Sequence, residues 1–448
     1  MPNPSLAEYI AQSQRGLYQR VFGPEFLMKQ SYFTVDTATG IFNTTYGKKV
    51  WHALNNQTRF FNAIPRVVWG NVAGWRIRTD RGTGRSRPIT ETGTLPTVDI
   101  SNIETVSSLP RIVGSTFGAS VKSVFTANLE GGIGDVLAME QENAQLDHIK
   151  EINEELLALE GCIASAGAAT TFTVPATIAH HFKVGDAVAT DDAGVYGRTT
   201  GSVVSAVDTA TGIVTIATGT AVADGDIMYI YSRAGFTSID DIVTEDTTAA
   251  SDTGIGGGDN QTRAYDLTHT GRTAGTWNAA ARVDRNAGVT RDLTLNLIDN
   301  CIRDIRVNGG EPKVIVCGHD QYYKMQRLLN AAQRYMGQEE YQVGVGNERT
   351  FPGTRTGLVV ATYQGIPVLP DADVPHSVSS ADVVLGSNVY VLDTDYLEIA
   401  VAQPTQYVEN RDYFAVNALV VRGLLYTMGE LRCLGFNRQS KLTDLTEN

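Results

Sequence analysis

Leu146, Ile149, Ile152, Leu156, Leu159 and Ile163 recur at spacings of three or four, the period of a helix rather than a strand. Asp135–Glu160 is therefore expected as one long helix, with Asp135 as its N-cap and Gly161 as a left-handed exit. At about 1.5 Å per residue such a rod is roughly 39 Å long, well beyond the usual three turns or so. Only one stripe of it is apolar. The other faces carry Asp135, Glu140, Glu142, Asp147, Glu151, Glu154, Glu155 and Glu160 against the single Lys150, a net charge of −7. The expectation is an anionic spine.

Strand-like alternation governs most of the remaining chain. Between residues 50 and 121, the runs RVVWGNVAGWRIRT and RIVGSTFGASVKSVF flank the polar DRGTGRSRPITETGTLPT, which predicts a protruding two-stranded loop. Residues 166–235 alternate in short runs with frequent turn residues, the pattern of a small inserted β-barrel or sandwich. From Thr290 the texture becomes α/β: TRDLTLNLIDNCIRDIRVNGG, the strand KVIVCG, the helix DQYYKMQRLLNAAQRYM, then LVVATYQGIPVLP and NVYVLDTDYLEIAVA. The final FAVNALVVRGLLYTMGELRCLGF reads as a central strand returning to the domain of the spine. Residues 1–49 are expected to form an arm too thin for its own core. VDTATGI occurs at both 35–41 and 207–213 and predicts the same tight turn twice.

Charge sharpens this picture. The chain of 448 residues has a net charge of −13, which argues against a dedicated nucleic-acid binder. Residues 50–121 nevertheless hold eight Arg against four acids, so the loop is +4 and the remainder −17. A cationic arm on an anionic body favours protein–protein ion pairs over stacking of single-stranded nucleic acid on Trp69 and Trp75. The four cysteines, Cys162, Cys301, Cys317 and Cys433, are far apart and have no C-x-x-C spacing, so neither a disulfide framework nor a zinc knuckle is expected. No apolar run approaches the ~18 residues of a membrane-crossing helix, and the N-terminus lacks a signal-peptide pattern.

Candidate chemistry is sparse. GIGGGDN at 254–260 lacks the Lys-Ser/Thr of a phosphate cradle. His180 and His181 precede a strand, where neighbouring side chains diverge, so they are not expected to share a metal. Asp240 and Asp241 in SIDDI suit a helix start better than an acid/base pair, and no G-x-S-x-G elbow occurs. No catalytic residue, cofactor or metal site is expected.

The order of these parts resembles the major capsid proteins of tailed double-stranded DNA viruses, the Hong Kong ninety-seven capsid fold. The residues that carry the resemblance are LDHIKEINEELLALEG, SIDDIV, YDLTHTGRTAGTWNAAARVD, the run from TRDLTLNLIDN to QYYKMQRLL, YQGIPVLPDADVP, NVYVLDTDYLEIAV and LYTMGELRCLGFNRQSKLTDL. It implies an α+β chain: N-terminal arm (1–49), extended β loop (50–121), peripheral domain with the spine helix (122–165), inserted all-β domain (166–235), peripheral segment and mobile loop (236–285), axial domain (286–400) and peripheral return strand (401–448). The implied function is self-assembly as hexamers and pentamers into an icosahedral shell around viral DNA, made in the host cytoplasm and residing in the virion.

The partners the resemblance implies are further copies of the chain, a separate scaffolding protein, a portal, a decoration protein, and DNA contacted without sequence preference on the inner face; no membrane partner is implied. Loop residues Arg76, Arg78, Arg81, Arg85 and Arg87 are expected to meet Glu140, Glu142, Asp147, Glu151, Glu154 and Glu155 of a neighbour's spine. One branch of the family locks its shell by an isopeptide bond from a loop Lys, and between Val50 and Val121 this chain has no Lys. Two rival readings are an encapsulin-type cargo compartment, which shares the fold, and a β-rich hydrolase.

Overall fold

The computed structural model describes residues 58–446 except 71–73, 81–85, 87, 90, 94, 97–99, 128–135, 160, 166, 168–169, 177, 193–194, 218–221, 223–226, 246–261, 269–270, 274, 287–289, 332–337, 341–358, 375–377, 380–383, 386 and 411–418. The N-terminal arm, the first VDTATGI turn, the GIGGGDN loop and Arg81, Arg85 and Arg87 thus lie outside the described residues. The chain divides into two compact units, one of residues 1–56, 114–148 and 405–426, the other of residues 57–113, 149–404 and 427–448.

The spine is an α-helix over Val136–Leu156, 21 residues and so about 32 Å long. It stops short of the predicted end, and Gly161 is not its exit. Leu157, Ala158 and Leu159 are buried, and the guanidinium of Arg233 donates to the carbonyls of Ala158 and Leu159. These bonds satisfy carbonyls of the buried segment that follows the helix, while Asn153 O and Glu155 O of its last turn accept from Leu157 N and Ala158 N. Gly161 instead opens a strand, Gly161–Ile163, paired with Ile227–Tyr229.

In the larger unit, a seven-stranded sheet takes the order Arg282–Asp284, Ser440–Leu445, Ser387–Leu392, Val314–Cys317, Ile366–Pro370, Val359–Tyr363, Gln338–Glu340. Val314–Cys317 is buried throughout, because each face of the sheet meets a different core. Val314 and Val316 pack with Leu369, Tyr390 and Leu392. Ile315 and Cys317 pack under the helices Leu295–Val307 and His319–Ala331 through Ile298, Cys301 and Met325, as alternation along a strand requires. The helix expected over 290–310 starts only at Leu295, since Arg291 bridges to Leu445 instead. The C-terminal segment corrects a second expectation. Val420–Cys433 does lie inside a four-stranded sheet, but Ser440–Leu445 goes on to join the seven-stranded sheet between 282–284 and 387–391. The segment 401–448 is therefore not one peripheral return.

The extended loop holds an antiparallel strand pair flanking the polar segment, as expected, but its second strand is not the expected one. Gly74–Arg78 pairs antiparallel with Ile103–Ser107. Arg66–Val68 pairs parallel with Ile399–Val401, and Arg111–Ser120 is an outer strand of the four-stranded sheet next to Val420–Cys433. The two apolar runs chosen from the sequence were each other's flanks, not partners. Their continuation, Val121–Ala127, is helical; Ser120 begins it, its hydroxyl accepting from Ser123 N at 3.1 Å.

Residues 161–232 form a six-stranded antiparallel sheet, ordered 161–163, 227–232, 187–192, 195–208, 213–216, 171–173. Ser165 and Thr173 exchange backbone hydrogen bonds of 2.7 and 3.2 Å. That bridge ties the two outer strands of the order together, as closure of a small barrel requires. Its core is its own: Cys162, Phe172, Val188, Val204, Val214, Ile216, Met228 and Ile230. The sheet begins at Gly161, five residues before the predicted edge at 166. The second VDTATGI is a tight turn, Asp208 Oδ1 accepting from Ala210 N at 3.0 Å and Gly212 taking φ +76°.

Candidate assembly surfaces

The loop is anchored at its base and open on its outer side. Trp75 turns inward, donating from Nε1 to Cys433 O at 3.1 Å and meeting Tyr265 edge-on with ring centroids 5.0 Å apart. Ser107 donates from its amide and hydroxyl to Asp266, at 3.0 and 2.7 Å. Arg76 and Arg78 alternate with Trp75 and Ile77 and are exposed. Ile103, opposite Arg78, is exposed as well at 57%, and elsewhere in the same stretch so are Val68 at 82%, Ile100 at 85%, Leu109 at 74% and Ile112 at 57%. A single exposed Leu needs no explanation, but this concentration in one loop does. Sequence reasoning counted the arginines and missed these residues; the signal for Val68, Ile103 and Ile112 was a branched side chain at a strand position, and Ile100 and Leu109 lie outside the strands.

The spine's acids do not form one uniform face. Glu142 and Asp147 are exposed, and Glu140 is half-buried. Burial and then the nearby Asp147 raise the Glu140 carboxyl above its ordinary pKa. Glu151 and Glu154 are engaged within the chain by Lys183, at 2.8 and 3.3 Å. Burial opposes the Lys183 charge, but Glu151 and Glu154 outweigh it and hold its pKa above that of an ordinary lysine. Glu155 is not on a surface at all. It is 8% exposed and accepts from Phe236 N at 3.0 Å, and burial pushes it up to about 8. It cannot contribute to an intersubunit face.

A polar junction that the sequence did not reveal holds the C-terminal half of the spine. Asn153 Oδ1 accepts from Phe61 N at 2.9 Å and its amide donates to Asp371 and Asp373. Asp371 accepts from Phe60 N at 3.0 Å, and Lys150 pairs with Asp373. The junction thereby fixes the short helix Arg59–Ala63, from which the chain enters the loop. SIDDI is a helix start as expected, with Ser238 accepting from Asp241 N at 3.2 Å. Its two carboxylates are each committed elsewhere: Asp241 to Arg233 at 2.5 Å, Asp240 to Lys441 at 2.9 Å and Tyr390 at 3.0 Å. The His pair corrects the sequence reading: both lie in a 3-10 turn, Ala179–His181, with ring centroids 4.1 Å apart. Burial lowers His180 to about 4. Among the described residues no group of three or more His, Cys, Asp or Glu is placed to hold a metal, and no helix is long and apolar enough to cross a membrane.

Residues 253–412 match the model of the SU10 major capsid protein family. No curated protein sequence matches the chain. Among solved structures, a subunit of the cyanophage A-1(L) capsid is 14% identical, with 96% of this chain and 99% of that chain covered at a TM-score of 0.53. The capsid of a native GTA particle covers 96% and 99% at 11% identity with a TM-score of 0.45. The holo-SrpI encapsulin complex from Synechococcus elongatus PCC 7942 covers 93% and 97% at 9% identity with a TM-score of 0.42. Scores at these last two levels carry no weight; the cyanophage match gives the fold. The chain therefore has the Hong Kong ninety-seven-like fold of the cyanophage capsid subunit over nearly its whole length, and its residues 253–412 are similar to the SU10 major capsid protein family.

Proposed function

We propose that the chain is the shell subunit of a double-stranded DNA virion and assembles as hexamers and pentamers through its extended loop. The observation that supports this most is the stretch 66–112, where Val68, Ile100, Ile103, Leu109 and Ile112 are exposed, as are Arg76 and Arg78. Apolar side chains at 57–85% exposure stay in water only until a neighbour covers them. A second copy is the occupant that a shell supplies, with Glu142 and Asp147 of its spine as the acidic counterpart. Arg81, Arg85 and Arg87 extend the basic set in sequence, and Glu140 the acidic one. Glu151 and Glu154 would exchange Lys183 for a neighbour's arginine only at a cost. A separate scaffolding protein, a portal, a decoration protein, DNA on the inner face and assembly in the host cytoplasm complete the proposal.

Electron microscopy of the expressed chain, alone and with a scaffold, tests it. Closed shells or capsomers are expected, and a chain that remains monomeric under all conditions overturns the reading. The contents of purified particles separate a virion from an encapsulin-type compartment: genomic DNA supports the first, a cargo protein the second.

A further inference from the structure

The chain changes sheets at the root of the loop. Arg66–Val68 runs parallel to Ile399–Val401, and Trp69 N extends that pairing to Val401 O at 2.9 Å. By Trp75 the chain already belongs to the antiparallel pair of Gly74–Arg78 with Ile103–Ser107. Trp69 and Trp75 thus bracket the passage from the body of the unit into the loop. One guanidinium serves both of them. Arg432, in the strand Val420–Cys433, lies over the Trp69 ring at 5.3 Å from its centroid and over the Trp75 ring at 5.8 Å.

The residues on either side of Arg432 hold the same root. Leu431 O accepts from the Tyr265 hydroxyl at 2.6 Å, that hydroxyl accepts from Cys433 N at 3.1 Å, and Cys433 O accepts from Trp75 Nε1 at 3.1 Å. Tyr265 has φ +59°, a conformation that a bulky residue keeps only where its surroundings enforce it. That bend sets Tyr265 edge-on to Trp75 of one loop strand and Asp266 against Ser107 of the other.

We infer that Arg432 is a positioning residue for assembly: by bridging Trp69 and Trp75 it fixes the direction in which the loop leaves the body. The inference rests on the reading of the chain as a shell subunit that assembles through this loop. The blander account is that Arg432 serves only its ion pair with Glu398, at 2.5 Å. That pair is made by Nη2, whereas Nε is buried and, among the described residues, has no hydrogen-bond partner. The two ring faces are what the rest of the guanidinium meets. Attraction between a cation and a ring face strengthens as water is excluded, and the Arg432 side chain is only 13% exposed. Rotation at the root is magnified along the strands beyond it, where Arg76, Arg78 and Ile103 are exposed.

Hydrogen exchange read by mass spectrometry, together with electron microscopy of assembly, tests this on the full-length chain. Glu398→Gln removes the ion pair but keeps Arg432 over both rings and an oxygen that can accept from Nη2, so loop protection and assembly should match wild type. Arg432→Met with Glu398→Gln removes the cation without leaving its partner charged. In that double variant, peptides from Gly74–Arg78 and Ile103–Ser107 should lose protection by about tenfold or more, while Val314–Cys317 stays as in wild type and well-formed shells become scarce. Unchanged loop protection in the double variant, assembly that is unchanged despite a loosened loop, or a single E398Q variant that loses as much as the double one overturns the inference. So does an equal loss at Val314–Cys317, which marks general unfolding. Should the double variant fail to fold, Trp69→Leu, at a half-buried position outside the strands, decides by the same measurements. A wild type that forms no shell under any condition overturns the shell reading instead, and the exchange result still decides whether Arg432 holds the loop.

Discussion

At the scale of residues, buried charge organises this chain. Asp240, Lys441 and Tyr390 meet at 2.9 and 3.0 Å with Asp240 and Lys441 at 4% and 2% exposure, joining the SIDDI helix to the last strand. Burial and then Asp240 raise the Tyr390 hydroxyl well above its ordinary pKa, so it remains a donor at neutral pH. Removing one member of such a pair leaves the other charge uncompensated, which costs about 3–5 kcal/mol. Lys441→Met should therefore lower stability by about that amount in urea unfolding, and the double variant Asp240→Asn/Lys441→Met should recover part of it. Equal losses in both would show that packing rather than charge sets the cost. None of these partners was legible in the sequence. Composition showed the spine as a −7 rod, yet it could not show that Glu155 turns into the core or that Lys183 returns from the barrel to cover Glu151 and Glu154. Those facts depend on which segments distant in sequence become neighbours, and periodicity carries no such information.

At the scale of elements, periodicity gave types well and partners poorly. The spine, the helix at 295–307 and the buried strand at 314–317 lie within the predicted stretches, and the helix at 319–331 starts one residue before its own, because one stripe or one run of apolar residues allows little else. The loop's pairing failed because a strand pattern names a face, not a neighbour. Close approach of strands was also hidden. Gly423 carries no side chain where a Cβ would lie 2.3 Å from the Phe117 ring, which itself stacks on Tyr407 at 5.8 Å. Gly423→Ala should cost about 1–3 kcal/mol in thermal unfolding, and adding Phe117→Leu should relieve it; an additive loss from the pair would contradict the overlap. On the loop, Ile103→Asn and Leu109→Ser change exposed positions, so the isolated chain should unfold within about 0.5 kcal/mol of wild type while assembly falls. Arg76→Glu with Arg78→Glu should also weaken assembly and flatten its salt dependence. Variants that assemble as wild type in light scattering would remove the loop from the interface.

At the scale of the whole molecule, order of parts was the legible feature, and it led to the capsid fold before any single motif did. The barrel's boundary was not legible, because Gly161–Ile163 looks like the tail of the spine pattern until its partner at 227–229 is known. That boundary matters for any attempt to remove the barrel. A cut at 167–233 leaves Gly161–Ile163 without its partner and deletes Arg233, the residue that binds Asp241 and the carbonyls of Ala158 and Leu159. A cut at 161–232 keeps Arg233 and removes the strands together. Replacing 161–232 by a short Gly/Ser linker should leave a folded chain by circular dichroism, and the cut at 167–233 should be less stable by about 3 kcal/mol or more; the reverse order would refute the boundary. The same view bears on how the proposed shell would be locked. An isopeptide bond needs an amine that can lose its proton and attack a carbonyl, which Lys can do when desolvated and Arg cannot. The loop from residue 50 to 121 has eight Arg and no Lys, the nearest amines being Lys48, Lys49 and Lys122 at its base. Its described surface offers apolar side chains and guanidinium groups, which bind a neighbour without forming covalent bonds. Intact particles boiled in detergent and reductant should therefore run as a single band near the 48.4 kDa monomer; a ladder of larger species would show that a base lysine, or another residue, reaches a neighbour after all.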